Sequence, residues 1–199
     1  MKVRHQQAGF TLLELMIALT IMALVAVNVS MVTRTGSEAA RSGMFRQSLN
    51  DEADQTLDRI SLALMSSGAE NLYPVAIAPL YTNEVTYSIS LGVEDGEVIE
   101  SPPESIIWEQ LEDRGRVLWS ENPGLPNERS VSWSNWVPTF YEGEEFNGAD
   151  DNGNVIVDEC GLAFDMRGAL VNIHLTIERP GPHGEWVPAT RRLQVTCRN

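Results

Sequence analysis

The sequence FTLLELMIALTIMALVAVNVSMV, residues 10–32, is a long apolar run in which 18 of the 23 residues are apolar. At about 1.5 Å of rise per residue, a helix over this stretch is about 35 Å long, which is enough to cross the hydrocarbon core of a membrane. We therefore predict a membrane-spanning helix over residues 10–33.

The nine residues before this helix carry Lys2 and Arg4 and no acid. Positive charge beside the first apolar segment indicates that the leader stays in the cytoplasm and that the rest of the chain is exported. A secretory signal peptide is the alternative, but it would end in a small-x-small cleavage site. Residues 31–34, Met-Val-Thr-Arg, lack such a site. The pattern favours a single-pass anchor with the head outside the cytoplasm.

One acidic residue, Glu14, lies about one turn inside the apolar run. An ionised carboxylate at that depth costs several kcal/mol unless it is paired. Its side chain either reaches the water interface or has a specific cationic partner. An α-amino group made by cleavage just before Phe10 would be such a partner.

The segment GFTLLELM, residues 9–16, follows a short basic leader and begins the apolar run. It resembles the prepilin signal shared by type IV pilins and the pseudopilins of type II secretion. The resemblance implies that a prepilin peptidase removes the leader, residues 1–9, by cutting between Gly9 and Phe10, and that it N-methylates Phe10. It also implies that Glu14 compensates the new amino group of an adjacent subunit in a filament.

The same resemblance implies the partners and the location of the chain. The partners are other pilins or pseudopilins, the prepilin peptidase and the inner-membrane assembly platform. The chain would first lie in the bacterial inner membrane, with its head in the periplasm, and would then enter the filament.

Three further features resemble minor members of this family. Many major pilins have a helix-kinking proline at a place that corresponds to Met31 here, and this chain has no proline at that place. The segments LDRI (57–60) and RRLQVTCRN (191–199) resemble parts of J-type minor pseudopilins and W-type minor pilins. The implied function is that of a structural subunit at the tip of a type II secretion pseudopilus. The alternative is a minor pilin of a type IV pilus, acting in pilus assembly, adhesion or DNA uptake.

Residues 34–68 are expected to continue the helix into the head. Apolar residues recur there at three- to four-residue spacing, which places them on one helix face. Gly68 is expected to end the helix as a left-handed cap. The apolar set is Ala40, Met44 or Phe45, Leu49, Ala53, Leu57, Ile60 and Leu64.

The remaining residues, 69–199, form a β-rich head by the same kind of pattern. Period-two alternation predicts one strand over 85–91, a hairpin of 106–108 with 117–119, a strand from Val131, and a hairpin of 171–177 with 193–197. No second long helix is predicted. The expected fold class is α+β, with a long N-terminal helix packed on a mostly antiparallel sheet.

Two cysteines, Cys160 and Cys197, lie in the last forty residues of a domain predicted to be exported. Export to an oxidising compartment favours a Cys160–Cys197 disulfide. Closing its loop of about 38 residues would contribute roughly 3–4 kcal/mol. The alternative is a pair of buried thiols.

The segment DDNGNVIVDE, residues 150–159, has the character of a metal site. Its Asp150, Asn152, Asn154 and Asp158 match positions one, three, five and nine of a calcium loop. Val155 and Gly161 depart from that pattern at positions six and twelve. The alternative is an Asn-Gly turn with solvated acids, so calcium is a possible rather than a required cofactor.

Composition separates the remaining function classes. The net charge of −14 argues against a nucleic-acid partner. No catalytic motif is present, and the histidines lie in the leader (His5), on the polar side of a predicted strand (His174) and in a turn (His183), so no enzyme activity is expected. The five tryptophans either pack in the sheets or form a recognition surface, and packing is the more common use.

Overall fold

The computed structural model describes residues 11–76, 78–154 and 156–198. The chain divides into two compact units, Met1–Met44 and Phe45–Asn199. One helix, α1 (Leu12–Ser66), runs through the described part of the first unit and begins the second. The predicted helix over residues 10–67 is therefore confirmed within the described residues.

Among its described residues, the second unit adds one 3-10 turn and ten strands after α1. Their bounds are Ala69–Asn71 for the 3-10 turn, then β1 (Leu80–Thr82), β2 (Glu84–Tyr87), β3 (Ser90–Glu94), β4 (Glu97–Glu100), β5 (Glu104–Gln110), β6 (Gly115–Glu121), β7 (Arg129–Val137), β8 (Leu162–Arg167), β9 (Leu170–Pro180) and β10 (Trp186–Thr196).

The strands form three antiparallel sheets. Sheet A has the order β1-β8-β9-β10, sheet B has the order β2-β5-β6-β7, and sheet C is the hairpin β3-β4. The two longest strands, β9 and β10, pair over all eleven residues of each. This arrangement of one long helix and antiparallel sheets confirms the expected α+β class.

The core of the second unit lies between α1 and the sheets. On α1, residues at three- to four-residue spacing are buried, as the sequence predicts: Leu49, Ala53, Leu57, Ile60 and Leu64. Ala40 and Met44 of the predicted face are exposed. Alternate residues of β9, from Val171 to Ile177, join the same apolar cluster. Glu52 of α1 accepts hydrogen bonds from Ser134 Oγ (2.9 Å) and Arg179 Nη1 (3.2 Å), which ties the helix to β7 and β9.

The opposite face of sheet A is covered by residues 138–154 and 156–160, here called the cover segment. Glu142 receives a hydrogen bond from Thr190 Oγ1 (2.5 Å), and Tyr141 Oη receives one from Arg192 Nε (3.1 Å). As a result, His174 and Thr176, which face away from the core, are also buried. The prediction that His174 lies on a polar strand face is right about the face and wrong about its exposure.

Two details of the predicted elements are wrong. The single strand expected over 85–91 is two strands, because the chain leaves sheet B after Tyr87 and Ile89 bonds to Ser101 instead. Gly68 is extended (φ −74°, ψ 146°), so it is not a left-handed cap. The helix instead ends at Ser66, and the backbone N–H and the hydroxyl of Ser67 both donate hydrogen bonds to the Leu64 carbonyl. Both predicted hairpins are confirmed, as β5–β6 and β9–β10.

Candidate functional site

The first turn of α1 contains a capping interaction made by Glu14. Its Oε2 accepts hydrogen bonds from the Thr11 backbone N–H (3.0 Å) and the Thr11 hydroxyl (2.9 Å), while the Glu14 N–H donates to the Thr11 hydroxyl (3.3 Å). This is a capping box, in which a threonine and a glutamate three residues later satisfy free N–H groups of the first turn. The capping-box signature, Thr-x-x-Glu, is present in the sequence, whereas the prediction for Glu14 rested only on its charge within the apolar run. The predicted cleavage site, Gly9 and Phe10, lies outside the described residues.

Apolar side chains lie on all sides of α1 from Leu12 to Val32. Every residue from Thr11 to Arg41 is exposed, including the large apolar residues from Leu12 to Val32. Within the described residues, α1 is the one helix long and apolar enough to cross a membrane. Such a surface is stable only when lipid or other helices cover it.

Polar side chains within this apolar surface are satisfied by the helix itself. The hydroxyls of Thr20 and Thr33 and the amide of Asn28 donate to carbonyls three or four residues earlier, at 2.8–3.1 Å. A membrane-embedded segment must satisfy its hydrogen-bonding groups internally, and these residues meet that requirement.

The predicted calcium ligands all lie in the cover segment. Asp150 Oδ1 accepts from the N–H groups of Gly153 and Asn154, Asn152 Oδ1 accepts from Asn154, and Asn154 Oδ1 accepts from Ile156. Asp158 instead caps another part of the segment through the N–H groups at 147 and 148. Within the described residues, no three His, Cys, Asp or Glu side chains form a group that could hold a metal ion. Calcium binding stays a prediction.

Two carboxylates of the cover segment itself are buried. Glu144 Oε1 accepts from the Asn152 N–H (3.1 Å), and Glu159 Oε2 accepts from Asn154 Nδ2 (2.7 Å). The other oxygen of Glu159 lies 3.5 Å from His174 Nδ1, which is close enough for an ion pair when the imidazole is protonated. The sequence pattern did not single out this buried pair, because its two members are fifteen residues apart.

The two cysteines are free thiols, and the predicted Cys160–Cys197 disulfide does not fit the fold. Cys197 donates its N–H to the Ala169 carbonyl just before β9, whereas Cys160 lies two residues before Leu162, which pairs with Leu175 further along β9. At about 3.3 Å per residue, these two points on β9 are about 20 Å apart. A disulfide needs Cα atoms within about 7 Å. Burial raises the pKa of both thiols.

The tryptophans divide between packing and exposure. Trp119 and Trp133 stack at 6.3 Å on sheet B, and Trp108 is buried. Trp136 lies in a cleft with Trp186, which is 52% exposed. Packing, the more common use, accounts for four of the five, because Trp136 also packs against the core.

The family match found by the comparisons with known proteins lies within the first unit, and they found no match to the second. The family model of the prokaryotic N-terminal methylation motif matches residues 4–27. No curated protein and no solved structure matches the chain. This motif implies processing by a prepilin peptidase and assembly into a filament with other pilins, and together with the apolar helix it fits anchoring in the inner membrane. The chain therefore carries, at residues 4–27, the prepilin-type signal of type IV pilins and pseudopilins.

Proposed function

We propose that this chain is a minor pseudopilin, a structural subunit at the tip of a type II secretion pseudopilus that serves protein export. The observation that carries the proposal is the continuity of the methylation motif with α1, whose mainly apolar side chains from Leu12 to Val32 are all exposed. Before assembly, membrane lipid covers this surface and the head lies in the periplasm. After assembly, the helices of neighbouring subunits cover the same surface.

Glu14 is the residue that would set the position of the subunit in the filament. Cleavage after Gly9 leaves an ammonium group on Phe10, and in a filament that charge is surrounded by apolar helices. The Glu14 carboxylate of a neighbouring subunit compensates it at low dielectric. Because desolvation offsets much of the Coulomb energy, the pair chiefly fixes the register between subunits.

Charge supports a minor position rather than a shaft built from copies of this chain. Residues 45–199 hold 26 acidic and 10 basic side chains, a formal charge of −16. Identical heads of that charge repel one another when they are packed side by side. A single copy among less acidic subunits avoids this repulsion, as at a filament tip.

A minor pilin of a type IV pilus is the second candidate, because the same motif and helix serve both systems. The acidic head disfavours DNA uptake and leaves pilus assembly or adhesion to a protein or glycan. Either candidate is a structural subunit, and the proposal assigns no catalysed reaction to the chain. Co-expression with the other minor subunits of each system, followed by pull-down, distinguishes the two.

The test of the proposal uses substitutions of Glu14 that separate its charge from its capping role. Glu14→Val removes both, whereas Glu14→Gln keeps a side chain that completes a capping box. We expect both variants to insert into the membrane and to be cleaved, since loss of a charge favours insertion. We expect both to enter the filament about tenfold less than the parent, measured by cysteine crosslinking to a neighbouring subunit.

The matched control is Glu38→Gln, which alters another helix acid outside the apolar run, one paired with Arg34. This variant should assemble normally. Normal incorporation of Glu14→Gln would show that capping is the whole role of Glu14. Normal incorporation of Glu14→Val as well would contradict the assembly role.

A further inference from the structure

A cleft of about 480 Å³ opens in the second unit where the β5–β6 turn, the end of β7 and the β9–β10 hairpin come together. Its volume is within the range of about 300–1,000 Å³ that ligand sites occupy. Aromatic rings and charged groups line it, among them Arg114, Trp136, Phe140, Glu178 and Trp186.

The cleft already holds one guanidinium group against an indole. Arg114 Cζ lies 4.5 Å from the centre of the Trp136 ring and 5.9 Å from that of Trp186. Arg179 Cζ lies 5.4 Å from the same Trp136 ring. Trp136 therefore contacts two of the chain's own arginines, whereas Trp186 has the more distant contact with Arg114 and is 52% exposed to solvent. Exposed indole faces attract cations through the ring quadrupole.

The charges around the cleft leave one carboxylate uncompensated. Arg114 is paired with Asp113 (2.8 and 3.0 Å), and Arg179 is paired with Glu52 (3.2 Å). Among the described residues, the Glu178 carboxylate has no hydrogen-bond or ion-pair partner. Burial and, secondarily, the nearby charge of Glu142 raise the pKa of Glu178. A cation bound here would favour the charged form of Glu178 and so offset both effects.

Strand register places this carboxylate beside the open indole face. Glu178 of β9 pairs with Pro188 of β10, and Trp186 lies two residues before Pro188, at the start of β10. Diagonal neighbours of this kind emerge on the same face of an antiparallel pair and lie within reach of long side chains. A half-buried carboxylate and an exposed indole thus point into one cleft.

We propose that this cleft binds an arginine side chain of a partner protein, with its guanidinium group stacked on Trp186 and paired with Glu178. A guanidinium group is planar and weakly hydrated, so it stacks on an indole and bonds a carboxylate at once, which an ammonium group does less well. The charge of −16 on residues 45–199 attracts a basic partner to this surface. The inference stands apart from the assembly role, since binding at the cleft needs no filament.

The experiment titrates the full chain, in mild detergent, with the peptide acetyl-Gly-Arg-Gly-amide and follows the indole N–H signals by NMR. We expect the Trp186 signal to shift with a Kd on the order of millimolar, as for one exposed cation–π and ion-pair contact. The lysine peptide should bind more weakly, and the neutral citrulline peptide should cause no shift of Trp186.

Three variants complete the test. Glu178→Gln and Trp186→Leu should each weaken binding of the arginine peptide by about fivefold or more, followed on the Trp136 indole in the second variant. Glu97→Gln, the same change on exposed strand β4, should leave it unchanged. The inference is overturned if the parent shows no shift, if citrulline binds as tightly as arginine, or if Glu178→Gln binds like the parent.

Discussion

Truncation of Ile60 to alanine tests whether the end of α1 belongs to the core of the head. Ile60 is 0% exposed and lies in the same apolar cluster as β8 and β9. The change removes three carbon atoms, worth about 0.8 kcal/mol each in transfer free energy, and leaves a cavity. We expect the free energy of unfolding to fall by about 3 kcal/mol, within the range of about 2–5 kcal/mol for such truncations.

The matched control is Leu62→Ala, two residues away on the same helix, where the side chain is 64% exposed. Leucine and alanine have similar helix propensities, so this change should alter stability by no more than about 0.5 kcal/mol. Urea unfolding followed by tryptophan fluorescence measures both in the full chain, because all five tryptophans lie within residues 108–186 and none in the membrane segment.

The readout is the urea midpoint. With a slope of about 2 kcal/mol per molar, Ile60→Ala should lower the midpoint by about 1.5 M, while Leu62→Ala should leave it within about 0.3 M. Equal midpoints for the two variants, or a larger loss for Leu62→Ala, would refute the reasoning that residues 45–66 form part of the head's core.

Two further predictions concern the cover segment and the cysteines. If residues 150–158 bind calcium with a Kd of about 10 μM, then 1 mM calcium should raise the stability of the full chain by about 2.7 kcal/mol and its Tm by about 5–11 °C. Asp150→Ala should abolish this rise. An unchanged Tm would contradict calcium binding at that affinity and favour the alternative of an Asn-Gly turn. Purified from an oxidising compartment, the chain should label at two thiols after denaturation without reductant, since Cys160 and Cys197 are far apart; no labelling would contradict the fold described.

Much of the fold could be predicted because it depends on local patterns. The burial of Leu49, Leu57 and Ile60 follows from their spacing on α1, and both hairpins follow from alternation on either side of turn residues. The break between β2 and β3 could not be predicted in this way. Alternation continues from Val85 to Leu91 and shows which side chains share a face, but it does not show which strand each backbone pairs with.

The candidate sites depended on long-range contacts and were harder to predict. Export to an oxidising compartment suggested that Cys160 and Cys197 pair, yet they lie far apart along β9. Likewise, Glu178 and Trp186 gain their significance only when the β9–β10 register brings them to one face. The prepilin signal could be predicted because its residues are contiguous, so that the signal is defined by their order in the sequence and not by long-range contacts.

The measurement that tests the central claim most directly is mass spectrometry of the N-terminal peptide from protein isolated with its native filament system. If the chain is a pilin-type subunit, the mature protein begins at Phe10, carries one N-methyl group there, and lacks residues 1–9. The variant Gly9→Leu should instead accumulate in the membrane as the full-length precursor. A chain that begins at Met1 in assembled filaments, or an unmodified N-terminus generated by cleavage elsewhere, would contradict the account.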